Sequence, residues 1–217
     1  MIIRLTKYLI QTVFAERFTW VLSDYVQHSK QAAGNILAEA YSEDSDPGMM
    51  WTIERWSNRN LLDQHDLTAE ARMLAHLANS GGAAAPQVIF LEDLEPLPEE
   101  AYRNVAAGDD RALTLMLFVD ARPGTEDTFI AAYHRAMPSL RNFPGILIYQ
   151  VCQVTTDRTQ FYTYEKFRDE EAFQKHLTAD FVAPLVDYLQ TSIKQQPFGK
   201  GFHRLVPITR DSVRSGS

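Results

Sequence analysis

A single cysteine, Cys152, stands in 217 residues, so the chain can form no internal disulfide and no cysteine-rich metal site. That shortage fits a reducing compartment, here the cytoplasm. No apolar run reaches the ~20 residues that span a bilayer. The apolar opening "MIIRLTKYLIQTVF" is interrupted by Arg4 and Lys7, and no small-residue cleavage site follows, so neither a signal peptide nor membrane attachment is expected. Lys and Arg number 21 against 28 Asp and Glu, a net charge of −7, with no dense basic block. The field that draws a phosphate backbone is missing, and nucleic acid is not an expected partner. No GxGxxG or Walker pattern supplies a nucleotide loop. No HExxH or paired metal-ligand spacing appears, and the 6 histidines are dispersed, so no metal is expected.

What the chain does have is apolar content of 45%, enough for a packed core. Its length fits one large domain or two small ones of roughly 100 residues. A repeat decides between them. "TIERWSNRNLLDQH", from Thr52, and "TYEKFRDEEAFQKH", from Thr163, share Thr, Glu, an aromatic and a final His at an offset of 111 residues. At the same offset Gly34 meets Gly145 and Asp46 meets Asp157. Trp51 then faces Tyr162, Trp56 faces Phe167 and Leu62 faces Phe173. After the histidine, "LTAE" (67–70) matches "LTAD" (177–180) with a one-residue slip. Two copies are too few for a solenoid, so two small domains of one fold are expected.

Each copy reads as strand, helix, strand, strand, helix, strand. In the first copy "IIRLTKYLI" is a strand, and Phe14, Phe18, Leu22, Tyr25 and Val26 then fall at helical spacing. Gly34 suits a left-handed helix end. "NILAEAYS" and "MMWTIERW" flank the turn "EDSDPG", and Ser57 or Asn58 can cap the next helix. In the second copy Phe129, Tyr133, Met137 and Leu140 mark the helix stripe, with Pro138 expected to kink or shorten it. "GILIYQVCQV" and "QFYTYEKF" form the central hairpin. The expected domains are 1–91 and 112–208, joined by a polar linker over 92–111 and followed by a disordered tail over 209–217. The element order is ferredoxin-like, an antiparallel sheet with helices on one face. The other face is apolar too and needs cover. The expected fold class is α+β, two tandem ferredoxin-like domains forming an intramolecular dimeric α+β barrel. Further pairing into a homodimer of the fused barrel stays open.

The pattern of Gly, apolar strand, turn, strand, Glu-x-Trp/Phe and a His nine residues on is carried by Gly34, Glu54, Trp56 and His65, then by Gly145, Glu165, Phe167 and His176. It resembles the antibiotic biosynthesis monooxygenase domain of the dimeric α+β barrel superfamily, over residues 1–91 and 112–208. That resemblance implies a cofactor-independent monooxygenase oxidising a small phenolic or quinol substrate with O2. The deprotonated substrate gives an electron to O2 itself, and the protein supplies a water-poor pocket and a group to take or steer a proton. The alternative is a non-catalytic protein of the same fold that binds a small aromatic or apolar ligand, or serves as a scaffold. Superfamily fold does not choose between them. Heme-degrading relatives carry an asparagine on the first strand. "MIIRLTKYLIQ" and "ALTLMLFVDA" have none, so heme breakdown is disfavoured and no cofactor is expected.

The candidate catalytic residues are His176 and His65, the histidines that coincide between copies. Histidine suits proton transfer near neutral pH. The plainer reading is a ring packed between helix and sheet and hydrogen-bonded to nearby backbone. Candidate substrate-binding residues are Trp56, Phe167, Tyr164, Phe173, Glu54 and Glu165. Each Glu precedes its aromatic by two, so both share a strand face, and a buried carboxylate there needs a partner. Tyr41, Tyr149, Tyr162 and Tyr164 could donate to a substrate oxygen. His176 is favoured over His65 because Phe167, Phe173, Tyr164 and Phe181 surround it in sequence.

Overall fold

The computed structural model describes residues 1–106, 112–194 and 201–209. All of the expected 209–217 tail except Thr209 lies outside the described residues, as do residues 107–111 of the expected linker. The chain divides into two compact units. Unit 1 takes the chain up to Leu91, the stretch from Pro98 and the stretch from Val206. Unit 2 takes Glu92–Leu97 and the chain up to Leu205. The fold class is α+β, the intramolecular dimeric α+β barrel expected from the sequence.

Unit 1 contains β1 (Ile2–Leu9), α1 (Thr12–Gln31), β2 (Asn35–Glu43), β3 (Met49–Trp56), α2 (Arg59–His65), α3 (Ala69–Gly81) and most of β4 (Gln87–Asp93). β1 pairs antiparallel with both β3 and β4, and β3 pairs with β2, the ferredoxin-like order. Between the units' main segments, α4 (Glu99–Ala106) forms inside the stretch expected to be a polar linker or a covering loop. Glu99 and Glu100 in its first turn suit the positive end of the helix dipole. Its Tyr102 is fully buried, with the Arg55 guanidinium 4.2 Å above the ring.

Unit 2 repeats the plan with β5 (Leu113–Asp120), α5 (Glu126–Asn142), β6 (Ile146–Val154), β7 (Asp157–Phe167), α6 (Glu170–Leu177), a 3-10 turn (Asp180–Val182), α7 (Ala183–Thr191) and β8 (Phe202–Pro207). β5 pairs with β7 and β8, and β7 with β6. Pro138 does not shorten α5, which runs on to Asn142, the position matching the end of α1.

The duplication is visible down to single hydrogen bonds. Gly34 and Gly145 both hold a positive φ, 77° and 91°. A Cβ on either would lie 2.3 Å from Leu61 Cδ1 or 2.5 Å from Ala172 Cβ, so glycine is required twice over. Asn58 caps α2 by accepting from Leu61 N at 3.1 Å, and Asp169, 111 residues on, caps α6 by accepting from Ala172 N at 2.8 Å. Both second strands carry a register shift at the same place, Asn35/Leu37 and Ile146/Ile148.

Candidate functional site

Each unit has a cavity between its sheet and its helices, and the two are built from matched positions. In unit 1, β1 supplies Arg4, Thr6 and Tyr8, α1 supplies Tyr25, and Asp66 follows α2. α3 supplies Ala71, Leu74, Ala75, Ala78 and Asn79. Pro86 and Val88 complete this wall of a cavity of about 310 Å³. In unit 2, seven of the positions 111 residues on, Leu115, Leu117, Leu177, Val182, Leu185, Val186 and Leu189, line a cavity of about 50 Å³. Its remaining wall includes Tyr149, Glu165, Phe173, His176 and Phe202.

The buried carboxylates sit in register. Glu54 on β3 lies opposite Arg4 on β1, and Glu165 on β7 lies opposite Leu115 on β5. In unit 1 that pairing makes a network. Arg4 Nε donates to Glu54 Oε2 at 2.9 Å, Nη1 to both Asp66 oxygens at 2.8 Å, and Nη2 to the Tyr25 hydroxyl at 2.9 Å. Tyr25 in turn donates to Glu54 Oε1 at 2.8 Å, and Trp56 Nε1 reaches the same oxygen at 3.4 Å. Burial works against the Arg4 charge, but Glu54, Tyr25 and Asp66 outweigh it and hold its pKa above the ordinary value. Burial and then the Glu54 charge push Tyr8 up to about 12, and the same two causes push Tyr25 well above its usual value.

Glu165 has no such cation. Leu115 stands where Arg4 would, and the carboxyl accepts hydrogen bonds from Thr163 and Tyr149 instead. Burial dominates and raises its pKa to about 7, against 4.5 ordinarily. Tyr149 is itself raised well above its usual value, by burial first and by Glu165 next.

The matched histidines differ for the same reason. His65, at the end of α2, packs on Trp56 at 4.8 Å and Tyr25 at 5.3 Å between ring centroids. Its Nε2 lies 2.8 Å from Ser29 Oγ. Ser29 gives its one proton to the Tyr25 carbonyl, so Nε2 is the donor in this pair. Desolvation lowers the His65 pKa, while Glu54 and Asp66 pull the other way. In unit 2, Ala136 and Leu140 stand where Tyr25 and Ser29 would. His176 is 3% exposed, and among the described residues no side chain partners either ring nitrogen. Desolvation lowers its pKa to about 4, opposed only by the Phe173 carbonyl, so the ring is neutral at pH 7.

The remaining sequence candidates divide by strand face. Phe167 and Phe173 meet His176 at 5.1 and 6.2 Å between centroids, as expected, and Trp56 stays with Glu54 and His65. Tyr164 does not join them: it lies on the other face of β7, where Lys166 Nζ sits 5.8 Å from its ring. Phe181 turns to Phe143, 5.5 Å away, rather than to His176. Sequence reasoning passed over Arg4, Thr6, Tyr8, Asp66 and the α3 alanines. The 111-residue offset contained that signal, because each has an apolar or larger partner in the other copy. Among the described residues no cluster of three or more His, Cys, Asp or Glu is placed to hold a metal, and no helix is long and apolar enough to cross a membrane.

Comparison with known proteins places the fold. A protein from Lactobacillus acidophilus NCFM that carries a monooxygenase name has a similar fold, with TM-score 0.77, 16% identity, and 96% of this chain and 94% of that one covered. One from Fusobacterium nucleatum subsp. nucleatum, also named as a monooxygenase, gives TM-score 0.79 at 12% identity, covering 96% and 92%. A structure named as anthrone oxidase-like gives 0.63 at 11% identity, covering 94% and 91%. No curated protein matches. The sequence profile of antibiotic biosynthesis monooxygenases matches residues 1–76 and again 112–183, and the chain belongs to that family, with two copies of its domain.

Proposed function

We propose that the chain is a cofactor-independent monooxygenase that oxidises a small phenolic or quinol substrate with O2, and that the reaction takes place in the unit 1 cavity. The observation that carries this reading is room beside a cation. At about 310 Å³ the cavity exceeds the roughly 150 Å³ that takes a benzene ring. Arg4 lies in its polar wall, and the other wall is mostly small apolar side chains, with Asn79.

The substrate hydroxyl faces Arg4, whose fixed charge favours the phenolate, as a pre-aimed cation favours charge that develops at an oxygen. Asp66 at the rim takes the proton: among the described residues its oxygens accept only from Arg4 Nη1, and they keep further lone pairs. The phenolate passes an electron to O2, and the ring radical and superoxide combine at a ring carbon that bears hydrogen, para to the oxygen in a phenol and ortho to it in a quinol, where loss of water gives the hydroxyquinone. In a phenol, loss of water leaves the quinone. Phenol plus O2 gives quinone plus H2O, with one oxygen atom in the new carbonyl and the other in water. His65 stands behind Tyr25 and supports the wall. His176 and Glu165 are not used in this route.

One observation favours the non-catalytic alternative. The carboxyl poised near neutrality, Glu165, lies in the smaller cavity, while the charged groups of the roomy one are tied to each other. Oxygen uptake separates the readings. With a panel of hydroquinones, naphthols and anthrones, wild-type protein consumes O2, and Arg4→Leu lowers the rate about 10²–10³-fold, the usual effect of removing one oxyanion donor. Asp66→Leu lowers it about 10²-fold or more. No uptake above the buffer rate with any member of the panel, while binding persists, leaves the ligand-binding protein as the answer.

A further inference from the structure

Most of the polar wall of the unit 1 cavity is one face of one strand, completed by Tyr25 and Asp66. Arg4, Thr6 and Tyr8 are alternate residues of β1 and so lie on the same face, their Cα atoms spanning about 13 Å. Opposite lies α3, which presents Ala71, Leu74, Ala75 and Ala78, a single helical face about 10 Å long. Three of those four side chains are methyl groups, with Asn79 the one polar side chain of α3 on the cavity, so the slot is mostly flat on one side and hydrogen-bonding on the other. Its length exceeds one aromatic ring.

The other copy shows what happens when that face is filled. At the same offset, α7 and the turn before it present Val182, Leu185, Val186 and Leu189. Leucine is kept at one position and each alanine is replaced by a larger side chain. The cavity falls from about 310 to about 50 Å³. The polar edge is lost with it, as Leu115 and Leu117 replace Arg4 and Thr6.

We infer that Ala71, Ala75 and Ala78 are the specificity-determining residues of the chain. They admit one planar ligand of two or three fused rings, with oxygen substituents along one edge, into unit 1, and Val182, Val186 and Leu189 close the matching place in unit 2. This rests on the proposal that unit 1 holds the substrate cavity, and it deepens that proposal by stating ring count and stoichiometry. The chain therefore binds one ligand, not two, despite its two copies. Glu165 and His176 keep the matched positions of a site that side chains have filled.

Binding without turnover tests this separately from oxygenase activity. The probes are 1,8-dihydroxyanthraquinone, which is already oxidised, and phenol, titrated by calorimetry and tryptophan fluorescence. Wild-type protein should bind one equivalent of the three-ring probe. Ala75→Val with Ala78→Leu should weaken that probe at least 10-fold while changing phenol less than 3-fold, with circular dichroism showing the fold intact. Val182→Ala with Val186→Ala and Leu189→Ala should give a second equivalent for naphthalene, an apolar bicycle suited to a wall without Arg4. Two equivalents in wild type, or an equal loss of both probes in the filled variant, would overturn the inference. Intact selective binding with no O2 uptake would leave it standing and remove only the oxygenase.

Discussion

Units 1 and 2 hold the same glutamate, histidine and glycine at matched positions, and each caps its helix from the matched residue, yet they solve the buried carboxylate in opposite ways. Unit 1 surrounds Glu54 with Arg4, Tyr25 and Trp56 and leaves a cavity in front of them. Unit 2 replaces the arginine by Leu115, lets the carboxyl approach neutrality, and packs the space with Val182, Val186 and Leu189. A carboxylate at 5% exposure or less costs too much to keep charged without a partner, so it is either paired or protonated. The comparison shows that sequence identity at the conspicuous positions says little about the site. The apolar-for-polar exchanges around them decide it.

The sharpest break in that contrast comes from making unit 1 resemble unit 2. Arg4→Leu strands Glu54, which is 1% exposed, without its cation. Removing one member of a buried ion pair costs about 3–5 kcal/mol, read from urea unfolding at pH 7. A loss below about 1 kcal/mol would mean that Tyr25 and Trp56 carry Glu54 unaided.

Next in size is pH dependence in unit 2, where two shifts oppose each other. Glu165 is raised from 4.5 to about 7, so its contribution is full below pH 4.5 and is lost as pH rises through 7. His176 is lowered from 6.5 to about 4, so its contribution is full above pH 6.5 and is lost as pH falls through 4. Each amounts to about 3 kcal/mol across its window, at about 1.4 kcal/mol per unit. Between pH 4.5 and 6.5 the two slopes cancel. Glu165→Gln should therefore unmask stability that rises from pH 4 to 6.5, and His176→Phe stability that falls from 4.5 to 7. Parallel curves for wild type and both variants would contradict the pairing of shifts.

A smaller effect sharpens the histidine contrast. Ser29→Ala removes the partner of His65 and leaves its ring in the condition of His176. The expected loss is about 1–3 kcal/mol, with the His65 pKa, followed by NMR of the ring protons, moving further down. An unchanged ring titration would show that Ser29 is not what holds the imidazole.

Much of this was legible in the chain itself. The helix stripe from Phe18 to Val26, the alternating strands and the 111-residue repeat carry the fold, because apolar periodicity and turn chemistry are local properties. The pairing of Glu54 with Arg4 was not legible, since it depends on which residue of β1 lies opposite β3 in the register. The side taken by Tyr164 is not legible, because both faces of "FYTYEKF" carry aromatics, and only the pairing shows that Glu165 and Phe167 share the cavity side. The one-residue slip drawn from "LTAE" and "LTAD" set Ala71 against Phe181 and hid its match with Val182. Those four residues resemble each other around a helix start, whereas the face that lines the cavity keeps the full offset.

The central claim is that unit 1 works and unit 2 does not, and O2 uptake by two unit-specific variants tests it most directly. Ala75→Val with Ala78→Leu fills the first cavity, and Glu165→Gln disarms the second without touching the first. With 1,4-dihydroxynaphthalene as substrate, the filled variant should lose at least 10-fold of the wild-type rate, and Glu165→Gln should keep it within 2-fold. Uptake that survives filling of unit 1 and disappears with Glu165→Gln would place the chemistry in unit 2 and contradict the account.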